Sequence, residues 1–204
     1  MPAEHFFEAY QSTPPWDIGR HQPAFERALK DGDVRAPVLD AGCGTGENAL
    51  YLAAQGFAVT GVDAVPAAIE AARGKAGARG LEAEFVIGDA LELGALGRRF
   101  ATVIDSGLFH TFDDPERERF RASLASVLEP GGRYLVLCFS ERERRDGGPR
   151  RVTRDELRDV FGRPPFRVLS IEAAEMATNL GSGRKAWLAR VERLAGEGTP
   201  AADA

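Results

Sequence analysis

Between Pro37 and Asp63 the chain reads PVLDAGCGTGENALYLAAQGFAVTGVD: a strand end, a turn with three glycines, a helix, a second strand and an acidic residue, without a break. Few folds accept that order. Val38 and Leu39 end a buried strand, and Gly42, Gly44 and Gly46 let the backbone bend sharply and lie against a ligand. Ala49, Leu50, Leu52 and Ala53 give the helix an apolar face, and Ala58 to Val62 form the next strand. Asp63 follows the last glycine by 17 residues, where a carboxylate accepts hydrogen bonds from both hydroxyls of a ribose. Glycines alone also mark ordinary turns, so the nucleotide reading rests on the strand, helix and acid around them.

Asp40 narrows the ligand. It sits at the strand end just ahead of the glycines, where it would repel a pyrophosphate but suits a ligand with a cationic amino group. Alternation then continues along the chain. Pro66 opens a helix running toward Arg79, Glu84 to Ile87 and Phe100 to Asp105 are strands, and a helix runs from about Pro115 to Leu128. Pro130-Gly131-Gly132 reads as a turn, Arg133 to Phe139 as a central strand, and Thr153 to Glu156 as a capping arrangement for a helix ending near Phe161. Strands from Phe166 to Ala173 and from Lys185 to Val191 complete seven. Parallel strands with crossover helices follow from this alternation.

The motifs, taken in order, resemble those of the class I S-adenosylmethionine-dependent methyltransferases. They are Leu39-Asp-Ala-Gly-Cys-Gly-Thr-Gly46, then Gly88-Asp89-Ala90, Asp105-Ser106, and Leu128-Glu-Pro-Gly-Gly132, and the likeness spans roughly Pro14 to Arg190. The resemblance implies an α/β, doubly wound, Rossmann-like sheet of strand order 3-2-1-4-5-7-6 with the last strand antiparallel. It also implies S-adenosyl-L-methionine as cofactor, held by Asp40, the turn residues Gly42, Cys43, Gly44 and Gly46, Asp63 with Ala64, Asp89 and the backbone of Ala90 at the adenine, and Asp105 with Ser106.

Pro14-Pro-Trp16-Asp-Ile-Gly19 is similar to a Pro-Trp-x-x-Gly segment of a narrower branch, the thiopurine, halide/thiol and bacterial heterocyclic-toxin methyltransferases. There it folds over the cofactor, which gives Trp16 and Gly19 the role of a lid. Asp105 to His110 resembles the heterocyclic-toxin members. His110 is the candidate catalytic base, since an imidazole titrates near neutrality and can take a proton from an attacking hydroxyl; packing over the adenosine is its other reading. Phe109, Phe7 and Tyr10 are candidate acceptor walls, with Phe6 and Phe112, although core packing is the commoner fate of such side chains. The arginine-loaded loop from Ser140 to Thr153 lies after a central strand, where an arginine can meet the acceptor.

A chain of 204 residues, 44% of them hydrophobic, fits one domain, expected over residues 1–195 with residues 1–30 as an N-terminal lid and 196–204 as a disordered tail. A net charge of −5 lacks the broad attraction of nucleic-acid binders, leaving a small-molecule methyl acceptor as the expected partner. No stretch is apolar and long enough for a membrane span, so a cytoplasmic protein is expected. The two cysteines, Cys43 and Cys138, build no metal site or disulfide framework. Two other readings stay open: a nicotinamide-dependent oxidoreductase, disfavoured by Asp40 and by the second acid at Asp89, and a non-catalytic S-adenosylmethionine-binding module.

Overall fold

The structure is a computed structural model describing residues 3–10 and 12–195, so the segment expected to be a tail lies outside the described residues. Helices α1 (Ala3–Ala9) and α2 (Pro23–Lys30) precede β1 (Val38–Ala41), α3 (Glu47–Ala54), β2 (Val59–Asp63), α4 (Pro66–Arg79), β3 (Glu84–Ile87) and β4 (Phe100–Ser106). Then follow α5 (Asp114–Val127), β5 (Leu128–Phe139), α6 (Arg154–Phe161), β6 (Phe166–Met176) and β7 (Arg184–Arg193). Short 3₁₀ segments occupy Ala90–Leu96 and Phe109–Thr111. The seven strands form one sheet in the order β3-β2-β1-β4-β5-β7-β6, and β7 runs antiparallel to both its neighbours. Fold class, order and the antiparallel last strand are those the resemblance implied.

Local chemistry explains the element starts. α5 and α6 each open on a capping box, Asp113 with Glu116 and Thr153 with Glu156, in which the cap side chain accepts from the N3 amide and the N3 carboxylate accepts from the cap amide. α4 starts behind Pro66 and stops at Gly80, whose φ of 62° ends the helix. The helix expected to reach Leu128 ends at Val127. The turn expected at Pro130–Gly132 instead continues β5, with a register shift opposite Phe100–Thr102.

The sheet is covered on both faces, so successive residues of its central strands enter opposite cores. Tyr134, Val136 and Cys138 of β5 join Leu39, Val103, Phe120 and Phe161 on one side. Leu135 and Leu137 join Val38, Leu50, Ile69 and Ile104 on the other. Because β1 to β4, β5 and β6 run the same way, the loops leaving them emerge along one edge. Among the described residues no helix is long and apolar enough to cross a membrane.

Candidate active site

A cavity of about 880 Å³ lies along that edge, within the size range of small-molecule sites of about 300–1,000 Å³. Its floor at one end is the glycine turn. An added Cβ at Gly44 would stand 2.6 Å from the Tyr10 hydroxyl, so the turn and the N-terminal segment approach each other more closely than a side chain permits. Asp63 closes β2 beside it. Its Oδ2 accepts from the Gly44 amide at 2.8 Å and its Oδ1 from the Val65 amide at 2.9 Å, leaving a lone pair on each oxygen for a ligand hydroxyl. Burial raises the Asp63 carboxyl above its ordinary value, and the backbone amides of Val65, Gly44 and Ala64 pull against that rise.

Beyond β3, Asp89 lines the cavity and also caps the following 3₁₀ segment, its Oδ1 accepting from the Leu91 amide at 2.8 Å. Ala64, Ala90 and Ser106 complete this end of the wall, with Gly42 and Cys43. Burial raises the Cys43 thiol well above its ordinary value, so it stays neutral.

The N-terminal segment forms the cover. Trp16 Nε1 donates to the Tyr10 hydroxyl at 3.1 Å, and the Phe6 and Trp16 rings meet edge to face at 5.9 Å. Asp17 Oδ2 accepts from Thr45 Oγ1 at 3.0 Å, which ties the cover to the glycine turn. Its outer side is tied to the β6–β7 loop: Asn179 donates to the carbonyls of Pro14 and Pro15, and the Gln22 side chain brackets Ala177.

Phe6, Phe7, Phe112, Phe139, Met176 and Leu180 give the far end an apolar wall, and His110 is set into it. His110 Nδ1 accepts from the Phe139 amide at 3.0 Å, so in the neutral ring the hydrogen sits on Nε2. Burial pushes the imidazole down to about 3, helped by the charges of Arg151 and Arg117. With its lone pair engaged by the Phe139 amide, the ring presents an Nε2–H donor.

Of the expected site residues, the structure brings Phe7, Tyr10, Trp16, Gly42, Cys43, Gly44, Asp63, Ala64, Asp89, Ala90, Ser106 and His110 to this one cavity. Five expected residues are not in its wall, for separable reasons. Gly19 is exposed, with an amide that approaches Asp17 Oδ1 at 3.5 Å. Gly46 is the N-cap of α3. Phe109 is fully buried against Phe120, Phe161 and the Arg117 guanidinium, because its 3₁₀ turn aims it into the core rather than at an acceptor. Asp105 is fully buried and accepts from the Leu108 and Phe109 amides and the Tyr134 hydroxyl, so it holds the turn after β4.

Asp40 is fully buried behind the glycine turn, where Oδ2 accepts from the Ala49 amide at 3.1 Å and Oδ1 has no partner among the described residues. Burial, then the Asp105 charge, raises its carboxyl to about 8. The ligand-free protein therefore holds the Asp40 proton well above the usual carboxylate range. Thr45 and Asn48, inside the motif, and Met176, Thr178 and Arg184, far from it in sequence, line the cavity without having been expected there. The first two were within reach of the motif reading. The last three carry no local signal.

The fold and this edge site define a class I, S-adenosylmethionine-dependent methyltransferase, and the comparisons with known proteins agree. A family model described as a methyltransferase domain matches residues 38–132. The 2-heptyl-1-hydroxyquinolin-4(1H)-one methyltransferase of Mycobacteroides abscessus is 38% identical over 159 residues, 76% of this chain and 70% of that one. The probable thiol methyltransferase 2 of Arabidopsis thaliana is 26% identical, covering 83% of this chain and 76% of its own. A chain solved for the conversion of a disulfide bond into a thioacetal group during echinomycin biosynthesis superposes with a TM-score of 0.86 at 38% identity, over 95% of this chain and 93% of that one. The chain belongs to this family of enzymes and uses S-adenosyl-L-methionine. The oxidoreductase and non-catalytic readings give way to it.

Proposed function

We propose that this enzyme methylates an oxygen of a small, hydroxylated heteroaromatic molecule. The observation that carries the reading is a single cavity running from the glycine turn to an apolar end walled by phenylalanines, with a neutral His110 N–H in that wall. The 38% identity to a hydroxyquinolone methyltransferase supports the acceptor class. S-adenosylmethionine supplies a methyl group on a sulfonium, a reaction in which the protein's main tasks are alignment and exclusion of water.

The residues divide those tasks. Asp63 receives the ribose hydroxyls, Asp89 and the Ala90 backbone receive the adenine, and Gly42 and Gly44 leave room for the cofactor against the turn. Trp16 and Tyr10 cover it. Residues 1–195 act as one catalytic domain, and masking an acidic hydroxyl on a toxic heterocycle would make the reaction a detoxifying one. A mass-spectrometric screen for methylated products across hydroxyquinolones, phenols, thiols and thiopurines tests the acceptor. Products from hydroxyquinolones above the others are expected; a preference for thiols or thiopurines overturns the oxygen reading.

A further inference from the structure

Arg184 opens β7 directly opposite Met176, the last residue of β6. Its side chain is 16% exposed and lines the cavity. Among the described residues its guanidinium makes no hydrogen bond, and its carboxylate contact is Glu143 Oε1 at 3.9 Å. That carboxylate is already committed: it accepts from the Arg145 and Lys185 amides, each at 2.9 Å, and pairs with Arg145 Nε at 3.2 Å. Nearby, Arg151 spends its donors on the carbonyl oxygens of Glu143, Arg145, Gly147 and Pro149 and lies over the Phe139 ring, with no carboxylate partner among the described residues.

Two guanidinium charges, Arg184 and Arg151, therefore stand at the apolar end of the cavity, and the carboxylate that Arg184 approaches, Glu143, is already paired with Arg145. The other acidic groups here are Asp146, exposed to water, Glu175, whose Oε2 lies beside Gly183 on the β6–β7 loop, and Glu116, which lines the cavity and accepts from the Asp113 amide at 2.9 Å. His110 belongs to the same corner. Its Nε2 lies 3.2 Å, and Met176 Cε 3.5 Å, from the point a Cβ on Gly107 would occupy. Nε2 has no partner among the described residues. A largely desolvated guanidinium with unspent donors is costly to keep, and an anion seated there offsets that cost.

We propose that Arg184, with the His110 Nε2–H in the lining of the same cavity, takes the methyl acceptor as an anion, so that the site selects acceptors acidic enough to ionise on binding. This rests on the methyl-acceptor reading above and names the property it selects. The acceptor's proton passes to solvent as it binds. Its oxygen pair then forms the bond to the methyl carbon while the carbon–sulfur bond breaks and leaves its pair on sulfur. No general base is required, and the neutral ether loses its attraction to Arg184.

4-Nitrophenol, whose phenolate is yellow, is the probe, added to enzyme saturated with S-adenosylhomocysteine. In the wild type the bound probe should ionise at least about one pH unit below the free probe, which corresponds to about tenfold tighter binding of the anion. In Arg184→Gln that preference should vanish with cofactor affinity unchanged by calorimetry, and Arg184→Lys should restore most of it. The wild-type titration needs no variant, so a variant that fails to fold leaves half the test standing. A bound probe that ionises like the free one, no binding at all, or an anion preference that survives in Arg184→Gln overturns the assignment. Wild-type enzyme that methylates hydroxyquinolones yet shows no anion preference keeps the function and loses Arg184; anion binding without methylation does the reverse.

Discussion

Gly44 and Gly46 are neighbours but one, with φ of 54° and 86°, yet a methyl group added to each meets different things. At Gly46 it falls 2.8 Å from the buried Phe85 ring and 2.9 Å from Ala72 Cβ, so Gly46→Ala overpacks the core and should cost stability by about 1–3 kcal/mol. At Gly44 it meets the Tyr10 hydroxyl, which belongs to the cover and can move away. Gly44→Ala should therefore weaken cofactor binding more than it lowers the thermal midpoint; calorimetry beside thermal unfolding separates the two, and equal midpoint losses would contradict this division. Asp63→Ala removes a carboxylate placed for two charge-assisted hydrogen bonds of about 1.5–3 kcal/mol each, so affinity should fall at least about tenfold. Unchanged affinity in a folded Asp63→Ala protein would put the ribose elsewhere. For His110, NMR of the ring nitrogens should show a hydrogen on Nε2 and no titration between pH 5 and 8; a midpoint near 6.5 would instead favour its role as a base.

At the scale of elements, the cover is held by polar contacts at its two sides. Asp17 reaches Thr45, and Lys75 of α4 donates to Thr45 Oγ1 at 2.7 Å and pairs with Glu47 at 2.8 Å, so cover, glycine turn and α4 meet at one threonine. The buried cores begin at Ala24, after the cover. Deleting residues 1–19 should leave the sheet folded but weaken cofactor binding and nearly abolish turnover, and Trp16 fluorescence in the full chain should change as cofactor binds. Normal binding and turnover in the truncated protein would make the segment an appendage.

Across the whole molecule, three buried groups shape how stability depends on pH: Asp40 and Asp105, the latter raised from 3.8 to about 7, act in one direction and His110 in the other. Asp40, raised from 3.8 to about 8, holds its proton in the folded chain after the unfolded chain has lost it, so its effect is a loss of stability as pH rises between those values. His110, lowered from 6.5 to about 3, refuses a proton the unfolded chain accepts, so its effect is a loss as pH falls between those values. Between about pH 4 and 6.5 the folded chain binds two protons at these three groups and the unfolded chain one, so the slopes of Asp40 and His110 cancel and that of Asp105 remains. The ligand-free protein should show an unfolding midpoint that falls slowly with rising pH there and keeps falling from pH 6.5 to 8. Asp40→Asn keeps an acceptor for the Ala49 amide and should remove the part of the fall between pH 7 and 8; an unchanged slope there would mean Asp40 is ionised in the folded state.

Local interactions make much of this protein legible in its sequence. The alternation of apolar runs set the seven strands and their helices, and Thr153 with Glu156 announced α6, because capping and periodicity act over a few residues. The order of the strands came from the family resemblance, and the glycine turn, Asp63 and Asp89 were found through motifs contiguous in the chain. Where a side chain ends up is different. Asp40 and Ser106 both stand at strand ends, yet one lies buried behind the turn and the other in the cavity wall, since neighbouring elements decide which way a strand residue is enclosed. Phe109 and His110 are adjacent and part ways, one into the core and one into the wall, by the geometry of a single 3₁₀ turn. Tertiary structure alone engaged His110 Nδ1 with the Phe139 amide and put Arg184 in the lining of the same cavity, since hydrogen bonding and desolvation at a site depend on segments far apart in the chain.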